Sequence, residues 1–510
     1  MSSHETAPSP QPAAPPATGI DPQGMRVIWL LLVAAFVAIL NETTMAIAIP
    51  HLNNDLGIAP ENGQWLTSGF MLVMAVVIPT TGFLLQRFTT RQVYLFAISA
   101  FSLGTLVCLL ALGFPMLLLG RVVQAIGTGI MMPLLMTTIM NVVPAHSRGR
   151  MMGRVGLVIS LAPAIGPTLS GAVLDTLGWR WLFGIVLPIA LVALLLGARW
   201  MTNLGETLRA PLDVLSVILS ALAFGGLVYG LSLLGSAHES ASGGGASATV
   251  PGLGTQGTAA VLIVVALVIL ALFCLRQISL QRADDALLDL RVFRSRTFTL
   301  AVIIMGVVAM AMFGTLTLLP LYLQNVAGLD ALMSGLILMP GSILMGLLGP
   351  VMGRVYDAKG PRVLLVPGTI VVAGALLFYS TVGEDTAWPV LMIVQTLMSV
   401  GLAMTFTPLF SASLGSLQRR LYSHGSAALN TLQQVGGAAG VAVLIGLYSS
   451  ILHQGEADGL STATAGAPGA RAAFLVAGLI ALVPVVLAWF IRPPEEAEEE
   501  PQQIPVESAA

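Results

Sequence analysis

Apolar windows of roughly 20 residues recur along almost the whole chain, the length that a helix rising 1.5 Å per residue needs to cross about 30 Å of hydrocarbon. The bilayer interior offers the backbone no water, so each window must satisfy its own amides as a helix. In order, the windows predict spans near 26–49, 64–85, 93–113, 115–140, 153–174, 182–200, 213–235, 257–277, 298–324, 331–352, 364–383, 389–411, 427–451 and 472–491. The expected fold class is all-α integral membrane, with fourteen transmembrane helices. Composition agrees: of 510 residues, 56% are hydrophobic and 9% charged, against about 25% charged in a soluble domain. The mean hydropathy is +0.89.

An even number of spans puts both termini on one side, and the cations say which. With a cytoplasmic start, Arg180 and Arg471 fall outside and Arg121 lies within a span; every other Lys and Arg, from Arg26 to Arg492, falls inside. That bias is the positive-inside pattern expected of a multi-pass protein of the inner, cytoplasmic membrane. Residues 1–24, rich in Pro, Ala and Ser, read as a disordered cytoplasmic tail rather than a signal peptide. Residues 493–510, with the acidic run Glu495 to Glu500, read as a solvated tail. Cys108 and Cys274 sit on different spans without metal or redox spacing, and His51, His146, His238, His424 and His453 lie at helix ends or loops. No metal site is expected.

The chain also repeats itself. GFLLQRFTTR at 82–91 and GRVYDAKGPR at 353–362 share a shape 271 residues apart, and a similar offset sets 150–166 against 424–440. Residues 25–200 then form an amino-terminal six-helix bundle and 298–492 a carboxy-terminal one, with helices 7 and 8 and their linkers inserted at 201–297. Transporters are commonly built from such repeats, with substrate bound between the halves near mid-membrane.

Four motifs carry a family likeness: NETTMAIAIP (41–50) in the first span, GFLLQRFTTR after the second, GRVVQAIGTG (120–129) in the fourth and APAIGPTLSG (162–171) in the fifth. Through them the chain resembles the major facilitator superfamily, and within it the fourteen-span drug:proton antiporters; WRWLF (179–183) is also typical. The resemblance implies the major facilitator fold, two six-helix bundles plus two inserted helices. It implies multidrug efflux, an antiporter motif at Pro163, Gly166, Pro167 and Gly171, and a cytoplasmic gate at Gly82, Arg87 and Arg91 with Gly353, Asp357, Gly360 and Arg362. Two positions depart from the family pattern. The first-span signature commonly begins with Asp, but here Asn41 is followed by Glu42, which moves the carboxylate about 100° around the helix. Gln86 and Thr89 stand where the loop usually has Asp and Gly, residues the second copy keeps as Asp357 and Gly360. Gating is therefore expected to rest more on the carboxy-terminal copy.

Glu42 alone among the acidic residues lies well inside a span, where a charged carboxylate costs on the order of 2.5–3.5 kcal/mol or more. It is the expected proton carrier. Arg121, the one intraspan cation, lies about 9 Å inward from Pro115, close to the depth of Glu42 at about 12 Å inward from Pro50. The two are expected to pair directly or through water and couple to the proton; a fixed structural pair is the plain alternative. Gln124, one turn below Arg121, bonds it or lines the cavity. With Asn41, Met132, Gln395, Asn430, Gln433 and Gln434 it makes up the expected substrate cavity, although bonding between helices explains the uncharged polar groups equally well. In the fifth span Gly166, Pro167 and Gly171 offer a smooth, kinked face for a neighbouring helix.

These readings converge on a proton-coupled antiporter exporting small amphipathic or cationic compounds by alternating access, with antibiotic resistance as the phenotype. A passive facilitator or importer, and a lipid or precursor flippase, share the fold and stay open from sequence alone. No nucleophile or metal constellation suggests an enzyme, and no GxxxxGK[ST] suggests ATP. The proton gradient is the expected energy source, with no cofactor. The expected partners are the small-molecule substrate, protons and the lipid bilayer, with a periplasmic or envelope adaptor as a further candidate and no nucleic acid. The inserted spans carry no internal charge and are expected to be dispensable for coupling. Their cytoplasmic linker, where Asp284, Asp285 and Asp289 interleave with Arg282, Arg291, Arg294 and Arg296, is expected to affect how the halves move.

Overall fold

The computed structural model describes residues 22–57, 60–203, 213–236, 254–283, 285–383 and 386–491. The expectations for the chain up to residue 21, for Arg209, His238 and Asp284, and for everything after Ile491 lie outside these residues.

Among the described residues there are fourteen long helices and no strand. They are α1 Pro22–Leu56, α2 Pro60–Arg87, α3 Thr90–Leu109, α4 Phe114–Val142, α5 Arg148–Thr176, α6 Arg180–Trp200, α7 Val214–Ser236, α8 Thr255–Leu280, α9 Arg296–Asn325, α10 Ala331–Lys359, α11 Arg362–Tyr379, α12 Trp388–Gly415, α13 Tyr422–Ala457 and α14 Thr462–Ala488. Several overrun their apolar windows, since hydropathy marks only the stretch in hydrocarbon while the hydrogen-bond ladder runs on beyond it. Among the described residues thirteen stretches are long and apolar enough to cross a membrane; α5, some of whose side chains lie outside the described set, is placed by its packing. Its first two turns carry Arg148, Arg150 and Arg154, and its middle is rich in Gly, Pro and Ser. It packs between α1 and α10, so protein takes the place of lipid along much of its length.

Local chemistry sets the boundaries. The Thr89 hydroxyl accepts the Gln92 N–H and the Gln92 side chain accepts the Thr89 N–H, a reciprocal cap that starts α3. Pro115 in the first turn of α4 fixes the weak division near Gly113. Asp330 caps α10 by accepting from the Met333 N–H at 2.7 Å, and α10 ends at Gly360, whose φ of +76° suits a residue without Cβ.

Helices α1–α6 pack among themselves, as do α9–α14. The two groups meet along two seams, α5 against α10 and α2 against α13. Helices α7 and α8 pack on each other, with Phe224 and Phe273 edge to face at 6.2 Å. Helix α7 also lies along both α2 and α13, with Trp65 of α2 and Tyr229 of α7 5.8 Å apart between ring centroids. The inserted pair therefore covers one seam and leaves the other to its own packing. Hydrocarbon gives no hydrophobic reason for helices to associate, so close approach depends on small residues. A Cβ on Gly104 of α3 would collide with the α4 backbone at Gly120 and Gln124.

Candidate functional site

Arg121, fully buried on α4, organises the interior of the amino-terminal half. Its Nε donates to the Leu66 carbonyl of α2 at 3.1 Å, and its Nη1 donates to Asn41 Oδ1 of α1 at 2.9 Å and to Gln124 Oε1 at 2.7 Å. The guanidinium lies 4.0 Å from the centroid of the Phe70 ring, a contact worth roughly 2 kcal/mol when desolvated. Gln124 passes the network on, its Nε2 donating to Thr105 Oγ1 of α3 at 2.8 Å, and Thr105 donates to the Phe101 carbonyl at 2.7 Å. One side chain thus ties α1, α2 and α4, with α3 reached through Gln124. Arg121 Nη2 is buried with no hydrogen-bond partner.

Of the two pairings expected of Arg121 with Glu42, direct or through water, the direct one is not made. Asn41 takes the guanidinium, while Glu42 has neither a hydrogen bond nor a salt bridge among the described residues and is only half-buried. The one-residue shift explains it: about 100° of rotation leaves the amide facing α4 and carries the carboxylate off that line. Glu42 still lies near enough for the fields of the two charges to act on one another. The acid is unbonded beside a buried cation held by neutral groups.

Helix α5 presses on the same stretch of α1. A Cβ on Gly166 would overlap the Thr43 hydroxyl, and Ser170 Oγ donates to the Thr44 carbonyl at 3.0 Å. Gly166 is thus a close-approach position directly behind Glu42. Gly171 is not, because nothing lies within 4 Å of a Cβ built there. Pro163 is half-buried on the same helix, and the Pro167 side chain lies outside the described set.

Both seams are closed at the face where α1 begins. On α5–α10, Asp357 accepts the Gly149 N–H at 2.7 Å and the Arg150 N–H at 2.8 Å, capping the first turn of α5. A Cβ on Gly153 would overlap the Gly349 carbonyl, and one on Gly353 the Gly149 carbonyl. On α2–α13, Gln86 Nε2 donates to the Arg420 carbonyl at 3.0 Å, and Gly82 packs on His424 and Ala427. Arg148 donates to the carbonyls of Val143 and Met140 at the end of α4, and its guanidinium lies 5.5 Å from the Tyr422 ring of α13. The arginines of the loop copies serve their own halves: Arg91 donates to the Ala198 carbonyl at 2.6 Å and Arg362 to the Ile491 carbonyl at 2.7 Å. Across the α5–α10 seam the link between halves is a carboxylate on a helix N-terminus; Arg87 is exposed at the end of α2.

The other expected cavity residues divide by their partners. Gln395 is buried and accepts from the Tyr379 hydroxyl at 3.2 Å, and Asn430 donates to the Ser426 carbonyl of its own helix at 2.8 Å. Met132, Gln433 and Gln434 are half-buried. Sequence reasoning did not find Phe70 or Thr105, which have no distinguishing local pattern. It also passed over His424, which reads as a helix-end residue yet is buried with Nδ1 unpartnered.

Comparison with known proteins follows this geometry. Residues 31–441 match the family model described as Major Facilitator Superfamily. The chain is 39% identical over 478 residues to a Bacillus subtilis protein named lincomycin resistance protein LmrB, covering 92% of this chain and 96% of that protein. It is 28% identical over 436 residues to a Mycobacterium tuberculosis protein named multidrug resistance protein B homolog, covering 85% of this chain and 77% of that one. Among solved structures, the human organic anion transporter MFSD10 superposes with a TM-score of 0.60 at 16% identity, covering 92% of this chain and 100% of that one. The Escherichia coli fucose:proton symporter FucP also reaches 0.60, at 14% identity, covering 92% and 99%. These likenesses are to transporters rather than enzymes, and the fold, the repeat and the matched family agree: the chain belongs to the major facilitator superfamily and is a multi-pass membrane transporter of small molecules.

Proposed function

We propose that the protein is a drug-efflux transporter of the inner, cytoplasmic membrane that exports small amphipathic or cationic compounds in exchange for protons, with both termini in the cytoplasm. The observation that carries the reading is the half-buried, unbonded Glu42 beside Arg121, whose own bonds go to neutral groups. A proton arriving at Glu42 removes an anionic field from that cation without breaking a bond, so it changes the balance holding α1, α2 and α4 together. Gly166 brings α5, which forms one seam, against the turn that carries Glu42. A proton-dependent shift of α1 thus has a short path to the seam. The names of the relatives support efflux, and the basic residues gathered at the closed face support its being cytoplasmic. On this reading the structure is the cytoplasm-closed state, in which Glu42 exchanges its proton with the outside. Each elementary charge moved down 100 mV supplies about 2.3 kcal/mol, enough for one proton to drive roughly fifty-fold accumulation.

The test is Glu42→Gln in vesicles under an imposed pH gradient. Gln keeps the shape and carries no titratable proton, so the variant should insert and bind substrate while gradient-driven transport disappears. Transport at the wild-type rate, at equal expression, removes Glu42 from the mechanism. Arg121→Lys keeps the charge but not the planar fork shared among three acceptors. Its transport should fall substantially, and that of Arg121→Ala further.

A further inference from the structure

The inserted helices are fastened at the closed face by a partly exposed ion pair and a buried amide. Arg276 of α8 forks onto Asp213 at the start of α7, Nε and Nη2 donating to its two carboxylate oxygens at 2.7 and 2.9 Å. That guanidinium holds the Asp213 carboxyl down at about 2. The ion pair is therefore fully formed above the ordinary carboxylate range and lost only as pH falls through about 2. Next to it, the fully buried Gln277 donates through Nε2 to Ser216 Oγ of α7 at 2.8 Å and accepts at Oε1 from the Leu288 N–H at 3.2 Å. One side chain joins α7, α8 and the linker to α9.

The linker packs into the protein despite its mixed charges. Ala286, Leu287, Leu288 and Asp289 are buried in succession, and Asp289 accepts from both the backbone and the guanidinium of Arg291. Ser295 meets Ser416 at the end of α12 at 2.9 Å. The Leu287 backbone, Asp289 and Arg291 lie near enough to act electrostatically on His424 of α13, and His424 packs on Gly82 of α2. Helices α5 and α13 start 274 residues apart, at Arg148 and Tyr422, so His424 holds the place of Arg150, whose backbone lies against Gly353 on the other seam. Where α5 and α10 touch glycine to glycine, α2 and α13 hold an imidazole between them with the linker behind it.

We propose that linker residues 286–292 are a wedge that, seated by Gln277, backs His424 and holds the α2–α13 seam shut, making the inserted helices part of the cytoplasmic gate and Gln277 its positioning residue. The proposal requires neither a particular substrate nor proton coupling. Its experiment is therefore read by gate accessibility without transport. In full-length protein with Cys108 and Cys274 replaced by Ser, one reporter is Ala427→Cys, which faces Gly82. A second is Ser160→Cys, which faces Gly346 on the α5–α10 seam. Each is labelled with a membrane-impermeant maleimide in everted vesicles, with and without Gln277→Met, which keeps the volume and removes both hydrogen bonds. Labelling at 427 should rise roughly five- to ten-fold, as expected for a lost pair of buried hydrogen bonds, while labelling at 160 stays level. Asp213→Asn, which loosens the same fastening from α7, should give the same pattern with a smaller rise. A rise at both reporters would mean general loosening and overturn the proposal, as would no rise at 427.

Discussion

On the α5–α10 seam a carboxylate receives two backbone N–H groups and glycine faces glycine. On the α2–α13 seam Gln86, 271 residues before Asp357, gives a single hydrogen bond to the Arg420 carbonyl, and the His424 imidazole lies against Gly82. Gln86 corresponds to Asp357, yet it donates to a carbonyl just ahead of α13 where Asp357 accepts from the first N–H groups of α5. A hydrogen bond to a charged group is worth about 1.5–3 kcal/mol and a neutral one about 0.5–1.5, and an anion at a helix N-terminus adds up to about 2 in partly buried sites. By these magnitudes the α5–α10 seam holds itself, while the α2–α13 seam has room for outside support. Helix α7 and the buried linker stand on that side. The repeat places two matching seams in the fold, and Gln86 and His424 make them unequal.

The largest effect expected from disturbing this asymmetry is at Gly153. Val there meets the Gly349 backbone, which cannot turn aside as a flexible side chain can, and overpacking costs typically about 1–3 kcal/mol. Efflux by Gly153→Val should fall at least about ten-fold, and substrate-free protein should label more readily at Ser160→Cys. Normal efflux would show that this seam need not close tightly. A middle effect belongs to Asp357→Asn, which keeps an acceptor but loses the charge at the α5 N-terminus. Initial efflux rates should drop roughly three- to ten-fold, with expression and substrate binding near wild type. The smallest effect is expected from Gln86→Asp, which restores the family's usual residue in the first copy. Its carboxylate would face the Arg420 carbonyl instead of N–H groups, so efflux should stay level or fall slightly; a clear gain would show that the two loop copies are interchangeable and the asymmetry incidental.

The number of helices, their order and the duplicated plan were determined by the sequence, because each rests on local properties: runs of apolar residues long enough for a bilayer and motifs repeated at a fixed offset. Glu42 and Arg121 stood out for a similar reason, since a charge inside an apolar window needs no tertiary context to be noticed. Which residue Arg121 bonds was decided by tertiary structure. A helix turns about 100° per residue, and only the placement of α1 against α4 shows that Asn41, rather than Glu42, faces the guanidinium. The same holds for Gly166 and Gly171, equal in sequence, of which one meets Thr43 and the other open space. Burial of Asp289 and His424 was also beyond the sequence, which showed a charged linker and a helix-end histidine. Their environment comes from α2, α8 and α13, elements far apart in the chain, and burial follows from what packs around a residue, not from its own type.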